Sequence, residues 1–429
     1  MKKIKVAYIC HFSTLEIRKQ LKLKSFWLGN CMRRIKGLEL LTFNDAGTWN
    51  ADFIKAFEGN AEFESYVISH HLGMVHGVQR FVKRGVHYVF LQEKEDLVGK
   101  VVKHIMGNKR SEDYAEQSRR IKDIVEEVNP DIVVLCGAEN PLYSSSVLGI
   151  SNKPIFVILQ TLLNSPKRIA MGVGNEKRRA LENAIFKHAS YFATFEKDVA
   201  DYVRLQNPYA HIFRLMFPSS TPVVSAKKTE KIYDFVFFSY ALTKNKGIED
   251  ALYAFENVKL QHPEATLGVI GECDSNYMIC LKRIIRDLGI TENVKLLGHF
   301  SSKQDAMDEV MKARIAVLPG ITAPFNSTVR ETMFMGIPTI VYGNDVIDSI
   351  NKKEINRISA IKEDTEDLGH KMLYALENPE MMGKIAEDAK AYAMSHLSTT
   401  AVGERLTSTL KYIAGNFYSN SIIPEEFFI

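Results

Sequence analysis

The chain has no apolar run that approaches the ~20 residues a bilayer-spanning helix requires; its longest candidate, residues 154–159, reads as a buried strand. Cysteine is scarce. Cys10, Cys31, Cys136, Cys273 and Cys280 are scattered, odd in number and without a CxxC pair. That excludes a zinc ribbon or a disulfide scaffold and fits free thiols in a reducing compartment. A secretion signal is missing too, because Met1-Lys2-Lys3-Ile4-Lys5-Val6 runs straight into a strand pattern. A cytoplasmic location is expected. No G-x-G-x-x-G follows a strand, which disfavours a dinucleotide-dependent dehydrogenase. No triad-like arrangement and no metal-ligand spacing are present, so no metal site is expected. Neither sign of charge dominates: 55 Lys+Arg face 51 Asp+Glu. This balance, with no recognisable motif, disfavours nucleic-acid binding.

What is there describes an ordinary globular enzyme in two parts. The 429 residues are 46% apolar and 25% charged, and they suit two domains of roughly 200 residues each. The charge is uneven. Residues 1–212 hold 31 Lys+Arg against 23 Asp+Glu, and the remainder holds 24 against 28. A basic first half suits an anionic partner such as a membrane surface, or is ordinary surface charge.

Short apolar runs alternate with helical stretches, the signature of parallel α/β layers. Strands are expected at 3–10, 38–44, 63–70, 86–92, 131–137, 155–160 and 191–195, and then at 233–239, 266–271, 294–298, 315–319 and 339–342. Helices are expected at 14–36, 112–129 and 175–188, and from about 364 nearly to the end. Ile248, Ala251, Leu252, Phe255 and Val258 share one helical stripe. Pro218-Ser219-Ser220-Thr221-Pro222, followed by Lys227-Lys228, reads as a linker. The division is therefore 1–215, a linker at 216–230, 231–399, and a C-terminal helix at about 400–429 crossing back to the first domain.

The most informative segment runs Pro319-Gly320-Ile321-Thr322-Ala323-Pro324-Phe325-Asn326-Ser327-Thr328-Val329-Arg330-Glu331, and then to Gly336-Ile337-Pro338. A buried strand ends, a polar loop follows, and a short helix begins near Thr328. First-turn amides at a helix start make a phosphate site. Glu331 has two open readings. It can accept hydrogen bonds from sugar hydroxyls, or it can close a capping box by reaching back to Thr328. A second segment, Ser239-Tyr240-Ala241-Leu242-Thr243-Lys244-Asn245-Lys246-Gly247, leaves a strand and enters the striped helix. Lys246 there is a point charge suited to phosphate or a solvated lysine.

These two segments resemble the donor site of retaining GT-B glycosyltransferases of the large bacterial glycan-assembly family, the family 4-like group of capsule and exopolysaccharide enzymes. That signature is Glu, seven residues, Glu, with Phe two after the first Glu and Gly-x-Pro beyond. Phe325, Glu331, Gly336 and Pro338 fall in register, but Ala323 stands in place of the first Glu. Lys246-Gly247 matches the family's Arg-x4-Lys-Gly element, with Ala241 in place of Arg. The resemblance implies an α/β, GT-B fold with two Rossmann-like domains whose parallel sheets face across a cleft. It also implies that Lys246 and the helix start grip a UDP- or GDP-linked sugar diphosphate and that Glu331 holds the ribose. Gly247, Gly271, His299, Phe300, Ser327, Thr328 and Val329 would complete the donor site, with Lys246 and Glu331 also serving catalysis. No cofactor is implied.

In the first half, His11, Glu139 and Gln160 each follow a strand end, where an acceptor would bind. Each also has a purely structural reading. His70 and His71 are adjacent, so a metal shared between them is not expected. Lys22, Lys24, Trp27, Arg33, Arg34 and Lys36 mix basic and aromatic residues on one predicted helix, a face for a membrane or for solvent. The reading is a metal-independent hexosyl- or related transferase with a glycan or lipid-linked acceptor, at the inner face of the membrane. A non-catalytic GT-B-like subunit and a sugar-nucleotide epimerase remain as alternatives.

Overall fold

A computed structural model describes residues 3–25, 30–32, 34, 43–75, 77–93, 114–170, 172–219, 229–300, 302–321, 325–343, 351 and 356–429. The chain forms two compact units, Met1–Pro218 with Val402–Ile429, and Ser219–Ala401. The linker residues 220–228 and the position of Ala323 lie outside the described residues.

The first unit is built on eight strands: β1 (Ile4–Ile9), β2 (Phe63–His71), β3 (Val78–Lys83), β4 (Val86–Gln92), β5 (Ile132–Cys136), β6 (Ile155–Ile158), β7 (Tyr191–Thr194) and β8 (His211–Arg214). Their order is β3-β4-β2-β1-β5-β6-β7-β8. All neighbours are parallel except β3 and β4. Side chains alternate along β1, so Val6, Tyr8 and Cys10 enter one core while Ala7 and Ile9 enter the other. That is why the run is apolar throughout. The second core takes Ile121, Val125 and Val128 from the helix Ala115–Val128, and Ile185 from the helix Glu176–His188.

The first core takes its cover from the end of the chain. Val402, Leu406, Leu410 and Ile413 recur at spacings of three and four along the helix Thr399–Ser419 and are buried there. Burying each stabilises by roughly 1.5–3 kcal/mol. Tyr191 donates its hydroxyl to Asn416 at 2.7 Å, and Phe213 bridges Phe428, so the terminus is tied to β7 and β8.

The second unit has six strands: β9 (Tyr233–Ala241), β10 (Leu267–Glu272), β11 (Val294–Gly298), β12 (Ala313–Val317), β13 (Thr339–Tyr342) and β14 (Ile358–Ala360). The order is β11-β10-β9-β12-β13-β14, parallel throughout. The striped helix is Ile248–Gln261, whose Ile248, Ala251, Leu252, Phe255 and Val258 are all buried.

One expectation needs correction. The helix expected over 14–36 is a single turn, Leu15–Arg18, capped by the Thr14 side chain. Leu21-Lys22-Leu23-Lys24 then alternates apolar and charged residues, which is strand periodicity. Leu23 accordingly makes an antiparallel bridge to Met74, and Lys22 N–H donates to Gln79 Oε1 at 2.7 Å. Lys22 and Lys24 are therefore not on a basic helix, and Trp27, Arg33 and Lys36 lie outside the described residues. The strand expected at 38–44 falls mostly outside them as well. Among its described residues, Phe43 and Asn44 are irregular. Finally, β3, β8 and β14 were not foreseen. Among the described residues no helix is long and apolar enough to cross a membrane.

Candidate functional site

In the second unit β10 and β11 lie to one side of β9, while β12, β13 and β14 lie to the other. The strand order reverses between β9 and β12, and the carboxyl ends of strands at such a point are where α/β sheets hold ligands. The two motifs meet there. After β9 the chain makes one tight turn, Lys244–Lys246, and Gly247 follows at φ +83°. A Cβ on Gly247 would lie 2.1 Å from the Pro319 carbonyl oxygen, just beyond β12. Ile321 N–H donates to the Asn245 carbonyl at 3.1 Å. These two contacts fasten the Lys246 turn to the loop after β12. Lys246 is partly exposed and has no ion-pair partner among the described residues.

Beyond that loop, the helix Ser327–Met335 begins at the Asn326 N-cap, whose side chain accepts from Val329 N–H at 3.2 Å. This displaces the expected capping box. With the cap at Asn326 rather than Thr328, Glu331 stands in the second turn and cannot reach back. It is 7% exposed and pairs instead with Lys303 at 2.6 Å. The helix closes at Gly336, φ +66°, where Gly336 N–H donates to Met333 and Ile337 N–H to Thr332.

The remaining residues proposed for the donor site lie at neighbouring strand ends. Gly271 closes β10 at φ +140°, and a Cβ there would meet the Ser239 carbonyl oxygen of β9 at 2.2 Å. His299 and Phe300 follow β11, His299 exposed and edge-on to the exposed Tyr240 ring at 5.5 Å. Ser327 is exposed, Thr328 is partly buried, and Val329 is fully buried in the helix's first turn. Val329 is therefore held as core, and its amide is already taken by the Asn326 cap, so neither is placed for a ligand.

The first unit also reverses its order, between β1 and β5. His11 follows β1 and Glu139 follows β5, so the topology puts both at that reversal. The His11 ring stacks on His70, at the end of β2, with centroids 4.3 Å apart. Burial lowers the pKa of His11 and holds that of His70 well below the usual histidine value. Burial also raises the Glu139 carboxyl, and Glu139 Oε2 has no hydrogen-bond partner. Gln160, two residues beyond β6, is exposed. Among the described residues no group of three or more His, Cys, Asp or Glu is placed to hold a metal ion.

Residues 223–392 match the family model described as glycosyl transferases group 1. The match lies within the second unit. Mannosylfructose-phosphate synthase of Agrobacterium fabrum is 24% identical to this chain over 176 residues, which span 40% of this chain and 38% of that protein. Two solved structures resemble the whole chain. Sucrose-phosphate synthase from Thermosynechococcus elongatus superposes with a TM-score of 0.62 at 12% identity, covering 96% of this chain and 99% of that one. Anabaena HepE, in complex with UDP and glucose, superposes with a TM-score of 0.60 at 13% identity, covering 95% and 100%. The fold is GT-B.

The match spans both segments that carried the resemblance. Lys303 was missed because a lysine at the start of a helix carries no signal of its own; only the position of Glu331 exposes it. Arg357 was missed for a similar reason. It is fully buried, its guanidinium lies 5.0 Å from the Phe325 ring centroid, and Nη2 contacts Met333 Sδ at 3.3 Å. Burial lowers its pKa to about 10. A cation–π contact on Phe325 fixes the residue that enters the helix Ser327–Met335.

Proposed function

We propose that this chain transfers a glycosyl group, a hexosyl unit or a close relative, from a UDP- or GDP-sugar to a hydroxyl of a cell-envelope glycan or lipid-linked glycan. The anomeric configuration is retained and no metal is used. The observation that carries the reading is the fastening of the Lys246 turn to the loop after β12 at the sheet reversal, with Glu331 paired to Lys303 nearby. HepE, whose structure holds UDP and glucose, lends support for the donor class.

On this reading, charge develops on the leaving diphosphate as the glycosyl bond breaks. Lys246 and the first-turn amides of Ser327 and Thr328 are donors already in place for that charge, the electrostatic form of catalysis. The acceptor hydroxyl attacks from the face the diphosphate leaves, and a phosphate oxygen takes its proton. Glu331 accepts from the ribose hydroxyls, and its ion pair with Lys303 holds its carboxylate in orientation. The first unit takes the acceptor, at the inner face of the membrane.

Nucleotide-induced thermal shifts over UDP, GDP, ADP and CMP test the donor class directly. Lys246→Ala is expected to weaken the preferred nucleoside diphosphate by about 1.5–3 kcal/mol, the range for a hydrogen bond to a charged group. Unchanged affinity by calorimetry removes Lys246 from the site. Glu331→Gln is expected to lower nucleotide affinity while costing under about 1 kcal/mol of stability, because Lys303 is largely exposed and such pairs contribute little. A Gln variant with wild-type affinity ends the ribose role of Glu331.

A further inference from the structure

Arg357, the residue before β14, is the largest fully buried side chain among the described residues. Every group it touches there is neutral. Nε donates to Asn356 Oδ1 at 2.9 Å, Nη2 contacts Met333 Sδ at 3.3 Å, and the guanidinium carbon lies 5.0 Å from the Phe325 ring centroid. Nη1 is buried without a hydrogen bond. The backbone around the residue is nonetheless held. Asn351, itself buried, donates Nδ2 to the Arg357 carbonyl at 3.0 Å and accepts from Asn356 N–H at 3.1 Å.

For the fold alone this arrangement is costly. A buried charge with no opposite charge beside it gives up its hydration for little in return, and an apolar side chain of similar volume often serves stability as well or better. The charge persists, because burial lowers the Arg357 pKa only to about 10. A residue that breaks the packing rules without local gain is where function is to be sought. Its place in the unit supplies the reason. Phe325 precedes the Asn326 cap of the helix Ser327–Met335, and Met333 lies on that helix two residues past Glu331. Two residues are roughly 200° around a helix, so Arg357 backs the face turned away from Glu331 and Lys303. A charge in a poorly polarisable interior is weakly screened, and its field adds to the positive end of the helix.

We propose that Arg357 is a buried countercharge for the donor's diphosphate, a positioning residue that never touches the nucleotide. It holds Phe325, and with it the entry to the helix whose first-turn amides meet the diphosphate, and its charge favours an anion there over a neutral ligand. The identity of that anion rests on the transferase reading above. One consequence sets this role apart from ordinary packing. The ligand-free chain bears the cost of the buried cation, and a bound anion offsets it, so stability without ligand and affinity for the diphosphate are opposed at this one residue. The charge is what counts, not the bulk.

The test uses the full chain with Arg357→Met, which keeps most of the volume and loses the charge, and Arg357→Lys, which keeps the charge. Calorimetry measures UDP against uridine and GDP against guanosine, and urea unfolding measures stability without ligand. Arg357→Met is expected to unfold at the same urea concentration as wild type or a higher one. It is expected to weaken the preferred diphosphate about fivefold or more, the scale of a weakly screened charge acting over a distance, and to leave the matching nucleoside within about twofold. Arg357→Lys is expected to keep most of the preference for diphosphate over nucleoside. The inference is overturned if diphosphate and nucleoside weaken together, which makes Arg357 a keeper of loop shape, or if Arg357→Lys loses as much as Arg357→Met. It is overturned too if Arg357→Met unfolds more easily than wild type or fails to fold, which makes the cation part of the fold's own balance. A wild type with no preference for either diphosphate over its nucleoside overturns the donor reading as well. A wild type with that preference, kept in Arg357→Met, overturns this inference alone.

Discussion

Gly247→Val is expected to destabilise the second unit by about 3 kcal/mol or more and to abolish its nucleotide response. Two effects add. A β-branched residue at φ +83° occupies backbone space that L side chains avoid, a strain of roughly 1–3 kcal/mol. Its Cβ would also stand 2.1 Å from the Pro319 carbonyl oxygen, a backbone atom that moves only with the loop. Relieving that overlap separates the Lys246 turn from the loop that leads to Glu331, at a further cost of ~1–3 kcal/mol. Gly289→Ala is the control. Gly289 has φ +65° with nothing within 4 Å, so only the left-handed strain of ~1–2 kcal/mol remains. Urea unfolding of both variants, followed by UDP and GDP titration, measures the difference. Equal losses in the two would show that the contact with Pro319 carries no weight.

The second large effect is acid lability of the first unit. His70, His71 and His11 all have pKa values lowered by burial, His71 to about 4. His71 is committed to its neutral form. Its Nδ1 accepts from Gly73 N–H at 3.1 Å, which places the ring proton on Nε2, 3.3 Å from Ser13 Oγ. In the unfolded chain each histidine titrates near pH ~6.5. Below that the unfolded state binds more protons than the folded one, so stability falls as pH falls. It is fully present above about pH 6.5 and, for His71, is lost progressively down to about 4. Each withheld proton costs about 1.4 kcal/mol per pH unit in that window. Glu139, Glu182 and Glu196 act in the opposite sense, since burial raises all three carboxyls. They take up protons in the folded state first, which offsets part of the loss. The melting temperature is therefore expected to drop between pH 7 and pH 5.5, and to drop less in His70→Leu. An equal drop in that variant would clear His70 of the effect.

The sequence carried the parallel strands well because burial on both faces leaves an unbroken apolar run, as in residues 132–136 and 155–158. It failed where a strand lacks that signature. Val78–Lys83 pairs antiparallel at the sheet edge, and its side chains alternate between exposed and partly buried, so it reads as surface. His211–Arg214 and Ile358–Ala360 are too short to show a period. The donor motifs were legible as motifs, since glycine, lysine and glutamate keep their spacing in the chain. The partner of Glu331 was not, because Thr328-x-x-Glu331 spells a capping box and the choice of Asn326 as cap is a matter of backbone geometry. Nor could a linear reading see that His70 lies against His11, fifty-nine positions earlier, since adjacency across β1 and β2 belongs to the sheet.

The thiols record the two units separately. Cys10 and Cys136 sit at the ends of β1 and β5, fully buried, and burial raises both well above the ordinary thiol value. Neither forms a thiolate while the sheet is closed, and the thiolate is the species that alkylates. Cys273 and Cys280, in the other unit, are partly exposed. A brief pulse of iodoacetamide should therefore mark Cys273 and Cys280, together with the partly exposed Cys31 of the first unit, well before Cys10 and Cys136, which react only when the first unit's sheet opens. Peptide mapping of the two pairs would then time the opening of one unit against the other without any engineered probe.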